Sequence, residues 1–182
     1  MNLDVVLALG ASDPNGKTTF EREKALTSLL VDLQRNIVPG YGIISYSSTA
    51  QTPVPLQKFN DVYRLKSQIG MLTWPGSGSD INSAIRQAYS MFRKSKPGSN
   101  KVFVLFMNGK ASTPLSTLRQ AVGLLLNQGV RVIVVGYGDR LDAGQLRVLS
   151  GNQDNIIEAS DKFREQDIIY KISWTISKGN FF

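Results

Sequence analysis

The chain of 182 residues contains neither cysteine nor histidine. Without thiol or imidazole there is no Cys-His or Ser-His arrangement, and no soft ligand set for zinc or copper. What remains for chemistry is carboxylates, hydroxyls, amides, Lys and Arg, which suit hard cations or phosphate rather than soft metals. No run approaches the length of a membrane span, so membrane insertion is not expected. The opening apolar run, Val5 to Leu9, is short, follows Asp4 and lacks a basic leader, so it does not read as a secretory signal. Carboxylates are also sparse, 14 Asp and Glu against 21 Lys and Arg, for a net charge of +7. That excess favours acidic partners such as glycosaminoglycan or anionic surfaces. Basic residues do not interleave with aromatics and no nucleic-acid module is present, so nucleic acid is not an expected partner. The densest patch is Arg93, Lys94 and Lys96, with Lys101 close by. Its plain role is the last turn of a helix, where cations suit the dipole. Its functional role would be a polyanion site.

The stretch from Leu3 to Phe20 organises the rest. Val5-Val6-Leu7-Ala8-Leu9 is apolar throughout, as a strand buried on both faces of a parallel sheet must be. In open α/β sheets the loop leaving the carboxyl end of such a strand is where ligands sit. Two readings of Gly10 to Thr19 compete. Ala11 to Thr18 fits a relaxed P-loop, in which Gly16 and Lys17 would hold phosphates and Thr18 magnesium. Alternatively, Thr18 to Glu21 is a capping box and Pro14-Asn15-Gly16 an ordinary turn.

Further along, Leu26, Leu29, Leu30 and Leu33 recur at helical spacing and predict a first helix over about 19–34. A strand over 41–47 follows. The extended stretch 49–57 carries Pro53 and Pro55, which cannot donate to a ladder, so it is expected as an antiparallel edge strand. A short helix is expected over 61–69. The loop Trp74 to Asp80 feeds a helix with Ile81, Ala84, Ile85, Ala88 and Phe92 inward. Val102 to Met107 reads as a second buried strand. After it Ser112 or Thr113 caps a helix with Pro114 in its first turn and Leu115, Leu118, Val122 and Leu125 inward. Val130 to Val135 is a third buried strand, and Gly129 the stop before it. A helix over 143–150, a strand over 155–158 and a last helix from about Asp161, with Ile168, Ile169, Ile172 and Ile176 inward, complete the chain. This alternation predicts one α/β domain over 1–182: a doubly wound, mostly parallel central sheet with one antiparallel edge strand and helices on both faces.

LDVV at the start, Phe20 opening the first helix, GSGSDINSAI, KVFVLFMNG and GVRVIVVGYGD together resemble a von Willebrand factor A domain, over nearly the whole chain. The resemblance is strongest to the A-domain arrays of extracellular matrix proteins, collagen VI and matrilins above all. It implies the same Rossmann-like fold and a metal-ion-dependent adhesion site at the carboxyl end of the sheet. That site uses a D-x-S-x-S loop, a Thr in a second loop and an Asp in a third. Aligned to this pattern, the first Asp falls at Gly10, the two Ser at Ser12 and Pro14, the Thr at Ser79 and the second Asp at Asn108. Both carboxylates are gone and only Ser12 is unchanged. Neutral oxygens compete poorly with water for magnesium, so the site is expected to be degenerate, with no cofactor. Asp13 and Asp80 neighbour the lost ligands and are the residues that would rescue weak binding; their plain roles are a turn and a helix cap.

The resemblance also weighs against a P-loop enzyme, which wants an acidic residue at the end of a second buried strand where this chain has Asn108. The expectation is a non-enzymatic, secreted adhesion module cut from a longer matrix protein. Its expected partners are other matrix proteins, collagen among them, glycosaminoglycan, and neighbouring A modules of the same chain.

Overall fold

The computed structural model describes residues 2–11, 16–37 and 40–178. Six strands form one sheet: β1 (Leu3–Leu9), β2 (Gly40–Tyr46), β3 (Ala50–Lys58), β4 (Asn100–Met107), β5 (Val130–Gly136) and β6 (Ile156–Glu158), in the spatial order β3-β2-β1-β4-β5-β6. All neighbours are parallel except β2 and β3. Pro53 and Pro55 lie exposed on β3 at the sheet's edge, where a missing N–H costs no ladder bond.

The apolar runs of the central strands split by period two. Val5, Leu7 and Leu9 enter one core, and Val6 and Ala8 the other, so both faces of β1 are dry. Helices α1 (Gly16–Leu33), α2 (Val62–Gly70) and α6 (Glu165–Ser177) cover the first face. Helices α3 (Ile81–Phe92), α4 (Leu115–Asn127) and α5 (Ala143–Ser150) cover the second. The strand order reverses between β1 and β4, and a crevice at the carboxyl ends opens at such a switch point. No helix among the described residues is long and apolar enough to cross a membrane.

Several local expectations are corrected. Helix α1 begins at Gly16, so Thr18 lies inside its first turn, exposed, and is not the capping residue. The buried side of α1 is Phe20, Glu23, Leu26, Thr27, Leu30 and Val31, whereas Leu29 and Leu33 are exposed. Glu23 and Thr27 occupy inward positions, so a count of apolar residues alone rotates the face away from them. On α4, Leu115 is likewise exposed, and the N-cap is Pro114 with no side-chain cap bond from Ser112 or Thr113. Helix α3 stops at Phe92; Arg93 is its C-cap, and Lys94 and Lys96 lie beyond its last turn. Helix α6 starts at Glu165 rather than near Asp161. At Gly129 the backbone is left-handed (φ 71°), which supplies the stop expected there.

Candidate functional site: the carboxyl end of the sheet

Gly10 follows β1, Ser79 and Asp80 lead into α3, and Asn108 follows β4, so the fold brings these predicted positions to one end of the sheet. Ser12, Asp13 and Pro14 lie outside the described residues. Gly16, Lys17 and Thr18 form the first turn of α1, with Lys17 and Thr18 exposed. Arg93, Lys94, Lys96 and Lys101 gather elsewhere. Arg93, Lys94 and Lys96 belong to the connection that enters β4 and Lys101 to its first residues, at the amino end of the sheet, where the Asn100 N–H donates to the Asn2 carbonyl at 2.9 Å.

At Gly10 the decisive neighbour is Tyr46, the last residue of β2. A Cβ built on Gly10 would meet two ring carbons and the carbonyl oxygen of Tyr46, each at 2.7 Å. The ring therefore occupies the space into which a side chain from this position would grow. Tyr46 is fixed there, because its hydroxyl donates to the Phe106 carbonyl of β4. Burial, with the charge of Glu23 adding to it, drives the phenol's pKa well above its ordinary value, so the ring stays neutral. Below Gly10, Glu23 of α1 is wholly buried and accepts the Gly10 N–H at 2.9 Å.

The loop that supplies Ser79 is laid directly on the β2–β3 turn. Gly78 has φ 138°, and a Cβ there would stand 2.3 Å from the Ser48 nitrogen, so only glycine permits this approach. The Asp80 N–H donates to the Ser47 carbonyl at 2.8 Å, and the Asp80 carboxylate accepts the Ser83 N–H at 3.0 Å. Asp80 is thus the N-cap of α3, the role read for it in the sequence. Ser79 Oγ accepts the Ser112 N–H at 3.2 Å, tying the second loop to the third. Trp74 closes the other flank: its indole N–H donates to the Ala11 carbonyl at 3.1 Å, and its ring lies 2.8 Å from where a Gly16 Cβ would stand.

Beside Asn108 a cleft of about 600 Å³ runs over the ends of β5 and β6, lined among others by Thr18, Thr19, Arg22 and Tyr137. Arg22 spans it, paired with Asp161 at 2.7 Å and Glu165 at 3.5 Å, with its guanidinium 5.4 Å from the Tyr137 ring centroid. Among the described residues, no group of three His, Cys, Asp or Glu stands where it could hold a metal ion.

Sequence reasoning missed Glu23, Tyr46 and Arg22. A signal for Glu23 was present, since it falls at i+3 from Phe20 and seven before Leu30, both inward. Tyr46 carried none, because its contact with Gly10 crosses from one strand to the next.

The comparisons with known proteins agree with this fold. The family model described as von Willebrand factor type A domain matches residues 4–171. Von Willebrand factor A domain-containing protein 2 of Xenopus laevis is 26% identical over 162 residues, covering 85% of this chain and 20% of that protein. Human Matrilin-1 is 21% identical over 145 residues, covering 76% of this chain and 29% of its own. The chain therefore spans well under a third of either relative's length. Among solved structures, proximal thread matrix protein 1 from the mussel byssus superposes with a TM-score of 0.84 at 17% identity, over 96% of this chain and 48% of that one. The manganese-loaded TRAP protein of Plasmodium vivax does so with a TM-score of 0.78 at 14% identity, over 96% and 73%. With a family match over residues 4–171 and the fold in agreement, this chain belongs to the von Willebrand factor type A domain family.

Proposed function

We propose that this chain is a non-enzymatic interaction module of an extracellular matrix protein, one unit of a longer chain, that binds its partner without a divalent cation at the sheet-end loops. The observation that carries this reading is the Tyr46 ring filling the space beside Gly10. A hard cation needs several oxygens with at least one carboxylate among them. Gly10 offers no side chain, Asn108 offers an amide, and the Ser79 hydroxyl already accepts a backbone N–H. That donor set does not fit magnesium or manganese. Asp80, the described candidate for rescue, is engaged as a helix cap.

The matrix assignment draws support from the kinship with matrilins and from the likeness to a byssus matrix protein. Other matrix proteins, collagen among them, and adjacent A modules are the partners to test. The experiment is a calorimetric titration with magnesium and with manganese, beside a solid-phase assay on collagen with and without chelator. No binding heat at millimolar metal, and chelator-insensitive adhesion, are the expected results. Micromolar metal affinity would overturn the reading, and Asp13 and Asp80 would then be the first residues to substitute.

A second reading, nucleotide binding by Gly16, Lys17 and Thr18, has one observation in its favour. These residues open an 18-residue helix, with Lys17 and Thr18 exposed at its positive end. Against it, β4 runs into Asn108 instead of the acidic residue that would manage magnesium. A ligand that binds only the native state raises the melting temperature. Millimolar magnesium-ATP or magnesium-GTP is expected to produce no shift. A shift abolished by Lys17→Ala would establish the site.

A further inference from the structure

Between Ile81 and Gly138 the sequence holds eight Lys or Arg and not one Asp or Glu. The rest of the chain carries thirteen cations against fourteen carboxylates, so the net charge of +7 belongs to this stretch alone. Folding puts the helices of this stretch on one surface, while its Arg131 turns to the other face and donates to the Ile176 carbonyl of α6. Helices α3 and α4 pack side by side on one face of the sheet and α5 packs beside α4, and none of the three contains an acidic residue. Arg86 on α3, Arg119 on α4 and Arg147 on α5 are exposed, as are Arg93, Lys94 and Lys96 in the turn below α3. None of these six enters an ion pair among the described residues. Asp80 and Asp142, which border the layer, sit at the N-terminal ends of their helices and cap them through the Ser83 and Gln145 N–H groups; Asp142 also pairs with Lys110 at 3.6 Å, so Lys110 is the neutralised cation of the stretch.

The other helical layer is built differently. There Arg22 pairs with Asp161, Lys24 with Glu21 and Lys66 with Asp32. The helix dipole suits Arg147, in the last turn of α5, and Arg93, the C-cap of α3, but it does not account for the other cations of the α3–α4–α5 layer. Helix α3 has no basic residue in its last turn, Lys94 and Lys96 lie past its end, and Arg86 and Arg119 stand well inside their helices. Arg86 and Arg93 are seven residues apart, about 10 Å along one helical face. A row of unneutralised charges at that spacing matches a stiff linear polyanion. Among the described residues, the exposed aromatic side chains Tyr63, Phe163, Tyr170 and Trp174 all lie outside α3, α4 and α5, so these helices offer no exposed stacking platform for the bases of a nucleic acid.

We infer that the acid-free layer of α3, α4 and α5, with the Arg93–Lys101 turn, is a second interaction surface that takes a sulfated polysaccharide chain. It stands apart from the sheet-end loops and does not depend on how they bind. Binding neutralises clustered positive charge and releases condensed counterions, so it must weaken steeply with salt.

The test measures binding of a fluorescent heparin-derived oligosaccharide at several salt concentrations. It compares the parent protein with Arg93→Ala/Lys94→Ala/Lys96→Ala and with Arg64→Ala/Lys162→Ala/Lys171→Ala, which removes as much charge from outside the layer. The first triple should lose at least tenfold in affinity and flatten the salt dependence, while the second should change by less than threefold. Arg86→Gln/Arg119→Gln, distant from the turn, should weaken binding without lowering the melting temperature, which separates the surface from any folding defect. Equal losses in both triples would reduce the effect to net charge and overturn the proposal. So would absence of binding at 0.15 M salt (roughly an 8 Å screening length), or duplex DNA displacing the oligosaccharide at lower concentration than unlabelled heparin does.

Discussion

Glu23, wholly buried on the inner side of α1, accepts the backbone N–H of Gly10 at 2.9 Å and so ties the first helix to the end of the first strand. A buried N–H left without an acceptor costs about 1–3 kcal/mol. Glu23→Ala should therefore lower the melting temperature by several degrees, at about 2–4 °C per kcal/mol for a chain of this size. Glu23→Gln keeps an acceptor oxygen and should lose less. Thermal and urea unfolding of the two variants would check this order, and equal losses would show that charge rather than the hydrogen bond is at stake.

Placing a carboxylate at Gly10 should fail for a steric reason. In Gly10→Asp the new Cβ collides with the Tyr46 ring and with its backbone oxygen, and overpacking of this kind costs about 1–3 kcal/mol. Tyr46→Ala alone should be costly too, about 3–5 kcal/mol by analogy with Phe→Ala in a core. The double variant should lose less than the sum, because removing the ring relieves part of the clash. A double-mutant cycle by denaturant unfolding measures that coupling, expected at about 0.5–3 kcal/mol. Additive losses would mean that the ring yields freely.

Asp80 distinguishes a structural role from a metal-binding one. As the N-cap of α3 it accepts the Ser83 N–H, and its loss in Asp80→Ala should cost about 1 kcal/mol. Asp80→Asn, which caps equally well, should leave stability nearly unchanged. If magnesium raises the melting temperature of the parent and not of Asp80→Asn, the residue is a ligand after all.

Alkaline pH should unfold the protein through its buried phenols. Burial raises the pKa of Tyr41, Tyr46 and Tyr137, with the charge of Glu23 adding to the effect at Tyr46 and Tyr137. The folded chain holds these protons while the unfolded chain releases them near the ordinary value of about 10. Below that pH their contribution to stability is fully present, and it is lost as pH rises towards the folded-state values. Of the six tyrosines, these three should add their phenolate absorbance only as the chain unfolds. A single titration step complete before any loss of circular dichroism would contradict this.

The local roles that were legible in the sequence are those set by nearest neighbours along the chain. Asp80 caps the helix assigned to it, and α5 spans the residues expected from its pattern. Leu29, Leu33 and Leu115 were misplaced because periodicity records spacing and not which side of a helix meets the sheet. The Thr18 capping box fails for a related reason: helix α1 starts two residues earlier, at Gly16, where the ring of Trp74 packs against the chain.

The sequence by itself determined the alternation of buried strands and amphipathic helices, the antiparallel edge with its two prolines, and the absence of carboxylates at Gly10 and Asn108. These follow from residue chemistry and from periods of two and about 3.6 residues. Only the tertiary structure decided what fills the space beside Gly10, which carboxylate holds its N–H, and that the acid-free helices α3, α4 and α5 share one face. Each depends on residues from separate elements meeting across the sheet, and the chain order carries no direct mark of such a meeting.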